Sequence, residues 1–393
     1  MKIRFLLLLS TLFLVQISMA HPQLTEYKSI TTGDEQTSLY FPLLKDKNVA
    51  VVANHTSMVG NTNLVDSLLA AGIHVIKIFS PEHGFRGNQD AGAAIKDGVD
   101  TQTGLPIISL FGKHKKPTPT DLAGVDVVVF DLQDVGVRFY TYISSLSYVM
   151  ESCAEENIPL IVLDRPNPNA YFVDGPVLKP GFESFVGMHP IPVVYGMTIG
   201  EYALMVNGEH WLKNKEQCHL TIIPLEHYNH QMIVKLPIKP SPNLPNWRAV
   251  YLYPSLCFFE GTVVSVGRGT QLPFQIYGHP QLHGNYSFTP VSTPGASLHP
   301  KLEGRKCNGR DLSVYATKFK AHRAQLHFQW LLNAYHQLGA KGKFFKSYFD
   351  RLAGNGSFRK QIEQGFSEKR IRRSWRKDIK AFMKIRQGYL LYP

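Results

Sequence analysis

Short apolar runs rich in β-branched residues recur through the first part of the chain, separated by longer stretches with apolar positions at helical spacing. Five of these runs are nearly continuous in apolar character, as expected of strands buried on both faces of a parallel sheet. They are NVAVVAN (48–54), HVIKIFS (74–80), DVVVFDL (126–132), IPLIVLD (158–164) and HLTIIPL (219–225). The pattern predicts five parallel strands.

The stretches between these runs have the signals of α-helices. Segment 63–72 closes on Gly72, segment 139–157 has apolar residues at helical spacing, and Thr198 with Glu201 forms a T-x-x-E capping box. This alternation predicts an α/β fold, a Rossmann-like doubly wound parallel sheet, over residues 21–232. No G-x-G-x-x-G motif opens the first helix, so the sequence does not indicate a dinucleotide cofactor.

The pattern changes at about residue 233, where the proline-rich segment KLPIKPSPNLPNW interrupts the alternation. Short strand-like pieces and then helices follow, which predict a smaller α+β C-terminal domain over residues 233–393. In the basic segment 367–386, apolar residues recur at helical spacing, namely Ile371, Trp375, Ile379 and Phe382. We interpret this segment as a packed helix with one solvated basic face, and not as a helix that binds nucleic acid or membrane.

Composition is that of a globular protein, since 44% of the 393 residues are hydrophobic and 18% are charged. The net charge of +12 favours anionic partners. Residues 1–20 form a basic start, an apolar run, and Ser18 and Ala20 at the spacing of a signal-peptidase site. We therefore predict a signal peptide, export to the periplasm or the extracellular space, and no transmembrane segment.

The four cysteines lie far apart and include no C-x-x-C pair, so they do not indicate a metal knuckle. They are Cys153, Cys218, Cys257 and Cys307. Disulfides are permitted in an exported protein, but we expect buried free thiols.

Polar clusters follow several of the predicted strands, at the edge where open parallel sheets bind ligands. Their residues are Asn54, His55, Glu82, His83, Arg86, Asp131, Asp134, Arg138, Asp164, Arg165 and Asn167. A purely structural role explains Glu82 least well. Pro81 restricts the backbone before it and Gly84 allows a turn after it, so that the carboxylate is held in a defined position. For Asp131 and Asp164, capping of the following turns is an alternative role.

Several motifs also resemble those of a known family, in order and over nearly the whole chain after residue 20. They are VANHTS, FSPEHGFRG, DVVVFDLQDVGVRFYTYISSL, VLDRPNPN, DGPVL, HPIPVVYGMTIGEYA and SPNLPNW with YPSLCFFEGTVVSVGRGT. The sequence is similar to the exo-β-N-acetylmuramidases of glycoside hydrolase family 171, the NamZ-like family that was formerly a domain of unknown function. The resemblance implies a Rossmann-like catalytic domain, a C-terminal domain and an active site in the cleft between them.

The resemblance also implies the reaction, release of N-acetylmuramic acid from the non-reducing end of peptidoglycan fragments. The expected partners are muramyl glycans, without nucleic acid, cofactor or metal. We assign Glu82, His83 and Asp134 to catalysis, with Glu82 carried over from the family. The predicted substrate-binding residues are Asn54, His55, Arg86, Asp131, Arg138, Tyr140, Asp164, Arg165, Asn167, Tyr195, Asn243, Glu260 and Arg268.

The second catalytic group remains open at this point, because most glycosidases use two carboxylates. Asp134, Asp131, Asp164 and Glu260 are the possible partners of Glu82. Alternatively, the 2-acetamido group of the substrate serves as an internal nucleophile, oriented by Asp134 or Tyr195. A cation must face the 3-O-lactyl carboxylate of the substrate, and we expect Arg86 or Arg138 in that role.

Two other functions compete with the muramidase. The first is a metal-dependent hydrolase or esterase built from His55, Glu82, His83 and Asp131, although these residues lack a short metal-ligand spacing. The second is a non-catalytic cell-wall-binding protein, in which aromatic residues such as Tyr140 stack on the glycan. Only turnover distinguishes the second from an enzyme.

Overall fold

The computed structural model describes residues 29–82, 84–86, 97–318, 324–339 and 344–393. Its strands are β1 (Val49–Ala53), β2 (Met58–Val59), β3 (Thr62–Asn63), β4 (Val75–Ser80), β5 (Gly98–Val99), β6 (Pro106–Ser109), β7 (Val127–Asp131), β8 (Leu160–Leu163), β9 (Leu220–Ile223), β10 (Ile276–His279), β11 (Tyr286–Phe288) and β12 (Cys307–Asp311). Its α-helices are α1 (Thr37–Leu44), α2 (Leu64–Ala70), α3 (Pro119–Leu122), α4 (Tyr142–Glu155), α5 (Ile199–Gly208), α6 (Trp247–Leu256), α7 (Ser313–Thr317), α8 (Gln329–Leu338), α9 (Tyr348–Ala353), α10 (Ser357–Glu363) and α11 (Glu368–Gln387). The expected signal peptide, residues 1–20, lies outside the described residues.

In the part of the chain that the structure describes, seven strands form the main sheet in the order β5-β6-β4-β1-β7-β8-β9. Of these, only the edge strand β5 runs antiparallel to its neighbour. The chain moves outward from β1 to β4 and β6, returns to β7, and then moves outward through β8 and β9. This is a doubly wound sheet, so the predicted fold class is confirmed. The order reverses between β1 and β7, where sheets of this kind bind their ligands.

The sheet is buried on both faces, as its continuous apolar runs predict. Along β1, Ala50 and Val52 contact the larger apolar core, whereas Val49 and Val51 contact the smaller core on the opposite face. The larger core continues past residue 247 into the C-terminal part of the chain, where it includes Phe258 and the buried residues of α8, α9 and α10. One apolar layer therefore joins the two parts of the molecule.

The five predicted strands correspond to β1, β4, β7, β8 and β9, and the three predicted helices to α2, α4 and α5. The capping box before α5 is also confirmed. The Thr198 hydroxyl accepts from the Glu201 amide at 3.2 Å, and the Glu201 carboxylate accepts from the Thr198 amide at 2.9 Å. These reciprocal bonds satisfy amides that a helix start otherwise leaves unpaired.

The C-terminal part contains a small antiparallel sheet, β10-β12-β11, and helices α6 to α11. In the basic helix α11, the side chains of Ile371, Trp375 and Phe382 are buried, and those of Arg373 and Lys377 are exposed. The interpretation of this segment as a packed amphipathic helix is therefore confirmed. None of the helices in the described part of the chain combines the length and the apolar character of a membrane span.

Residues after α11 return to the main sheet. The Tyr392 hydroxyl donates to Asp164 at 2.6 Å and accepts from the Leu225 amide at 2.8 Å, which ties this segment to the ends of β8 and β9. The Glu201 carboxylate accepts from the amides of Leu391 and Tyr392 at 2.8 and 3.3 Å. The C-terminal segment is thus a structural part of the Rossmann-like half.

All four cysteines are buried and free, as expected from their spacing. Cys153 and Cys218 lie close enough for their side chains to hydrogen-bond, and this contact together with burial raises the pKa of the Cys153 thiol. Because the thiolate is the reactive form, none of these features favours a nucleophilic role for Cys153.

Candidate active site

A cavity of about 550 Å³ lies beside the carboxyl ends of β4 and β7, between the sheet and the C-terminal part. Its lining comes from both parts of the chain. The lining residues are Glu82, Phe111, Gly112, Lys115, Phe139, Tyr140, Thr141, Tyr142, Ser184, Phe185, Val186, Ser241, Asn243, Leu244, Tyr253, Cys257, Glu260, Arg268, Phe274, Tyr348, Arg351 and Leu352. Five of the predicted site residues are among them, namely Glu82, Tyr140, Asn243, Glu260 and Arg268.

Glu82 follows β4 directly, because that strand ends at Ser80 and Pro81 starts the turn. Gly84 has a φ of 77°, a left-handed conformation that glycine adopts without strain, and it reverses the chain just after the carboxylate. The side chain is half-buried. Burial and the negative charge of Glu82 together raise the pKa of Tyr142, and Arg268 also lies within the electrostatic reach of Glu82.

Two tyrosines at the start of α4 form an aromatic part of the cavity. The rings of Tyr140 and Tyr142 meet edge to face with centroids 4.9 Å apart. The Tyr140 hydroxyl donates to the carbonyl of Pro240 at 2.7 Å, and the Tyr142 hydroxyl accepts from the Asn54 amide at 2.8 Å. Asn54, a predicted substrate-binding residue, is fully buried and instead holds Tyr142 in place.

The C-terminal part contributes a second carboxylate to the cavity. Glu260 lies in the short 3₁₀ helix Cys257–Gly261, and its carboxylate is 3.5 Å from Nε of Arg268. The Arg268 guanidinium also stacks over the Phe274 ring, 5.0 Å from its centroid. Glu82 and Glu260 therefore face one cavity from opposite parts of the chain, with Arg268 in electrostatic contact with both.

Asp134 does not line this cavity. It is fully buried, and its carboxylate accepts from the Gly136 amide at 2.6 Å and from the Tyr195 hydroxyl. Burial raises the pKa of Asp134 to about 6, although the hydrogen bond from Tyr195 opposes that shift. Asp134 and Tyr195 form a buried pair behind the two tyrosines, so the structure does not support direct contact of either with the substrate.

Two other predicted carboxylates have structural partners. Asp131 accepts two hydrogen bonds from Arg165, at 2.6 and 2.8 Å, and the same guanidinium lies 3.0 Å from Asp34. Asp164 accepts from the Gly200 amide at 2.8 Å as well as from Thr198 and Tyr392. Hydrogen bonds and ion pairs within the protein therefore describe the roles of Asp131, Asp164 and Arg165 better than substrate binding does.

The two arginines expected at the lactyl group, Arg86 and Arg138, bind other groups of the protein in this structure. Arg86 forms ion pairs with Asp66 and Asp100 at 3.1 and 2.7 Å. Arg138 is fully buried and donates to the carbonyls of Pro176, Ile191 and Leu352, at 2.7 to 2.9 Å. Both guanidinium groups bind other groups of the protein, and neither lines the cavity.

The remaining predicted residues do not line the cavity or lie outside the described residues. His55 bonds through Nε2 to the carbonyl of Lys239 at 2.9 Å, and burial lowers its pKa. Asn167 donates to the Met197 carbonyl at 2.7 Å and holds a turn. His83 lies outside the described residues, so its predicted role remains a prediction. Among the residues that are described, no group of three or more His, Cys, Asp or Glu side chains is arranged to hold a metal ion.

The sequence reasoning missed several cavity residues. They include Lys115 from the loop after β6, Phe139 from the loop after β7, Tyr253 from α6, and Tyr348 and Arg351 from α9. The lysine stands in a run of basic residues, FGKHKK, after an apolar strand, and that signal could have identified it. The arginine in α9 has no local signature, because only folding brings that helix to the sheet.

Comparison with family models identifies both halves of the chain. Residues 49–248 match the model "Exo-beta-N-acetylmuramidase NamZ, N-terminal", and residues 251–392 match "Exo-beta-N-acetylmuramidase NamZ, C-terminal". The chain is also 39% identical over 378 residues to the peptidoglycan β-N-acetylmuramidase NamZ of Bacillus subtilis, with 90% of this chain and 89% of that protein covered.

Two solved structures share the fold. Both are crystal structures of DUF1343 family proteins from Bacteroides fragilis NCTC 9343. The first is 46% identical to this chain with a TM-score of 0.85, and the second is 29% identical with a TM-score of 0.79. Each comparison covers 93% of this chain and 99% of the solved chain.

Proposed function

The chain belongs to the exo-β-N-acetylmuramidase NamZ family, and we propose that it is a glycoside hydrolase that releases N-acetylmuramic acid from the non-reducing end of peptidoglycan fragments. The observation that carries this proposal is the placement of Glu82, a carboxylate held by the β4 turn inside a cavity built from both parts of the chain. The matches to both family models support the reaction, and the cavity supplies its chemistry.

In this proposal Glu82 is the general acid. It donates its proton to the glycosidic oxygen while the bond between that oxygen and C1 breaks, and the leaving sugar departs as a neutral alcohol. Positive charge develops at C1, and water finally supplies the hydroxyl group there. The other proton of that water goes to Glu260 if Glu260 is the base, or back to Glu82 if Glu260 is the nucleophile. Glu260 is the second carboxylate, acting as base or nucleophile, because it is the other described carboxylate that lines the cavity.

The cavity suits the end of a glycan. Its volume of about 550 Å³ lies within the range of roughly 300–1,000 Å³ typical of small-molecule sites. Aromatic rings such as those of Tyr142 and Tyr253 offer apolar faces for a sugar ring, and Asn243 adds an amide. This volume accommodates a terminal sugar.

A direct test is incubation of the purified protein with a chromogenic β-N-acetylmuraminide and with the matching N-acetylglucosaminide. We expect release of the chromophore from the muraminide at a rate far above that from the glucosaminide. A protein that binds N-acetylmuramic acid without any turnover would instead be a glycan-binding protein. Hydrolysis that chelators abolish and added metal restores would support the metal-dependent alternative.

Lactyl recognition requires a cation, and among the described residues three cations line the cavity, namely Lys115, Arg268 and Arg351. Arg268 already pairs with Glu260. Lys115 lies with its ammonium 4.7 Å from the Phe185 ring centroid, and Arg351 is exposed on α9. Neither of these two forms an ion pair with a carboxylate in the described part of the chain. We propose that Lys115 and Arg351 bind the lactyl carboxylate, in place of the arginines expected from sequence.

Replacement of Lys115 or Arg351 by Ala is therefore expected to lower kcat/KM for the muraminide by about 10- to 100-fold, because the lactyl carboxylate loses its counter-charge. The value for the glucosaminide, which has no such group, changes little. The measurement is the ratio of the two kcat/KM values for each variant, with folding checked by thermal melting.

Lys113→Ala is the matched control, since Lys113 is exposed, lies in the same loop and does not line the cavity. It should keep the wild-type ratio of kcat/KM values. If Lys115→Ala and Arg351→Ala are folded and also keep that ratio, these two side chains do not recognise the lactyl group, even where the enzyme class is correct.

A further inference from the structure

The long connection between β11 and β12, residues 289–306, lies behind the cavity and contacts several parts of it. None of its residues lines the cavity. The Asn243 amide donates to the Ala296 carbonyl at 2.8 Å, and the Val291 amide donates to the Gly269 carbonyl at 2.9 Å. This connection therefore contacts the segments that contain Asn243 and Arg268, without lining the cavity itself.

Lys301 in this connection makes the most concentrated contact. Its ammonium nitrogen lies within hydrogen-bond distance of four backbone carbonyls of one segment. The acceptors are Phe259 at 2.8 Å, Glu260 at 3.2 Å, Thr262 at 2.8 Å and Val264 at 3.0 Å. An ammonium group has only three protons, so the fourth carbonyl shares a proton or interacts through charge and dipole alone. The ammonium group therefore binds four carbonyls of the segment that contains Glu260 and holds them close together.

This segment needs such a partner because it has little regular structure. The short 3₁₀ helix ends at Gly261, and the last carbonyls of a helix lack partners within the helix. The Phe259 carbonyl also accepts from the amide and the hydroxyl of Thr262, each at 2.9 Å. The Val263 amide bonds to Phe344 and the Lys346 amide bonds to Gly261, at 3.1 and 2.8 Å. Those two bonds connect the segment to residues 344–346, whereas the Lys301 side chain binds its carbonyls at four positions.

We propose that Lys301 is a positioning residue, whose ammonium group holds the segment Phe259–Val264 so that Glu260 faces the reacting sugar. The inference rests on the proposed function, because Glu260 is the second carboxylate only if the chain is a glycoside hydrolase. Lys301 itself does not touch the substrate in this arrangement. Its removal leaves Glu260 in the chain but frees the backbone that directs its carboxylate.

The charges around Lys301 allow a specific readout. Burial lowers the pKa of Lys301 to about 8, against the attraction of Glu260, while Lys346 and Arg268 add to the lowering and Cys257 opposes it. A neutral amine still donates hydrogen bonds but has lost the charge that gathers four carbonyls. Activity that depends on Lys301 should therefore decline as the pH rises through this pKa. Arginine stays charged throughout that range.

The test compares Lys301→Met, Lys301→Arg and Lys306→Met with the full-length protein. Lys306 is exposed and belongs to the same connection, so Lys306→Met is the matched control. We expect Lys301→Met to lower kcat for the muraminide by about 10- to 100-fold, since a misplaced catalytic group costs a factor of that order. Lys301→Arg should keep more activity than Lys301→Met. It should also lack the decline near pH 8 that we expect of the wild type through Lys301, whereas any decline caused by loss of the Glu82 proton should remain in both. Lys306→Met should keep the wild-type kcat and pH profile.

A chemical rescue adds an independent readout. Lys301→Ala leaves space beside the four carbonyls, and ethylammonium in the assay should restore part of the lost kcat because it can donate to them. Tetraethylammonium has the same charge but no proton to donate, so it should not restore kcat. Rescue by ethylammonium alone supports the proposal.

The outcomes separate this proposal from the function on which it rests. An inactive wild type would overturn the proposed function and this inference with it. An active wild type together with a folded Lys301→Met variant of unchanged kcat and pH profile overturns the role of Lys301 alone. If Lys301→Met does not fold, the pH profiles decide. Deprotonation of Glu82 lowers the activity of the wild type and of Lys301→Arg alike, so alkaline declines that coincide in the two proteins overturn the role of Lys301.

Discussion

Replacement of Glu82 by Gln is expected to lower turnover of a muraminide by roughly two to four orders of magnitude, because the amide has no proton to give to the departing oxygen. Gln has nearly the same shape and keeps a hydrogen-bonding group at the same place, so the β4 turn and the fold should be retained. Product binding should also be retained. The measurement is kcat with the chromogenic muraminide, accompanied by a thermal melt and by calorimetric titration of N-acetylmuramic acid.

The matched control for Glu82→Gln is Glu156→Gln. Glu156 is exposed at the end of α4, outside the lining of the cavity, and the change replaces the same carboxyl group by an amide. This control should have wild-type kcat. A folded Glu82→Gln variant that keeps more than about a tenth of wild-type activity would show that Glu82 is not the general acid, since removal of such an acid costs more.

The second large effect is expected at Glu260. If Glu260 acts as base or nucleophile, Glu260→Gln should lower kcat by about 100-fold or more, because the amide can neither accept a proton nor attack C1. The carboxylate is about a quarter exposed in the cavity and pairs with Arg268, so loss of its charge should not disrupt the core. The result also tests the contribution of the C-terminal part, because Glu260 comes from there.

Asp134→Asn is the comparison that separates the two possible second carboxylates. Asp134 is buried behind the aromatic residues, so we expect its replacement to alter stability and to lower kcat by less than about tenfold. If Asp134→Asn loses as much activity as Glu260→Gln while remaining folded, the assignment of the second carboxylate is wrong. A folded Glu260→Gln variant with nearly full kcat points instead to the 2-acetamido group of the substrate as the internal nucleophile.

The sequence was sufficient to predict the doubly wound sheet because strands buried on both faces need continuous apolar runs, and β1, β4, β7, β8 and β9 all have them. It was not sufficient for the sheet edge. Strand β6 is only four residues long and begins at Pro106, and β5 has two residues. Short edge strands bury little apolar surface, so they leave a weak pattern in the sequence.

The candidate site was predictable in place but not in detail. A polar residue after a parallel strand must lie at the ligand-binding edge, which brought Glu82 to the cavity. The same rule does not give the direction of the side chain. Arg165 shows the difficulty, because it pairs with Asp131 at the next strand end and with Asp34, which lies 131 positions earlier in the chain. Because such partners are distant in the sequence, the local pattern does not reveal that an expected binding residue has a structural role.

The contact between Tyr392 and the main sheet has a consequence for the order in which the protein can fold. Asp164 and Leu225 are synthesised long before Tyr392. Tyr392 lies 228 residues after Asp164 and 167 residues after Leu225. Domains usually fold as units, with the N-terminal one first during synthesis. Here the Tyr392 hydroxyl, which bonds to the Asp164 carboxylate and the Leu225 amide, is synthesised late. The Rossmann-like half can therefore collapse during synthesis, but it can form these two hydrogen bonds only after α11 has been made.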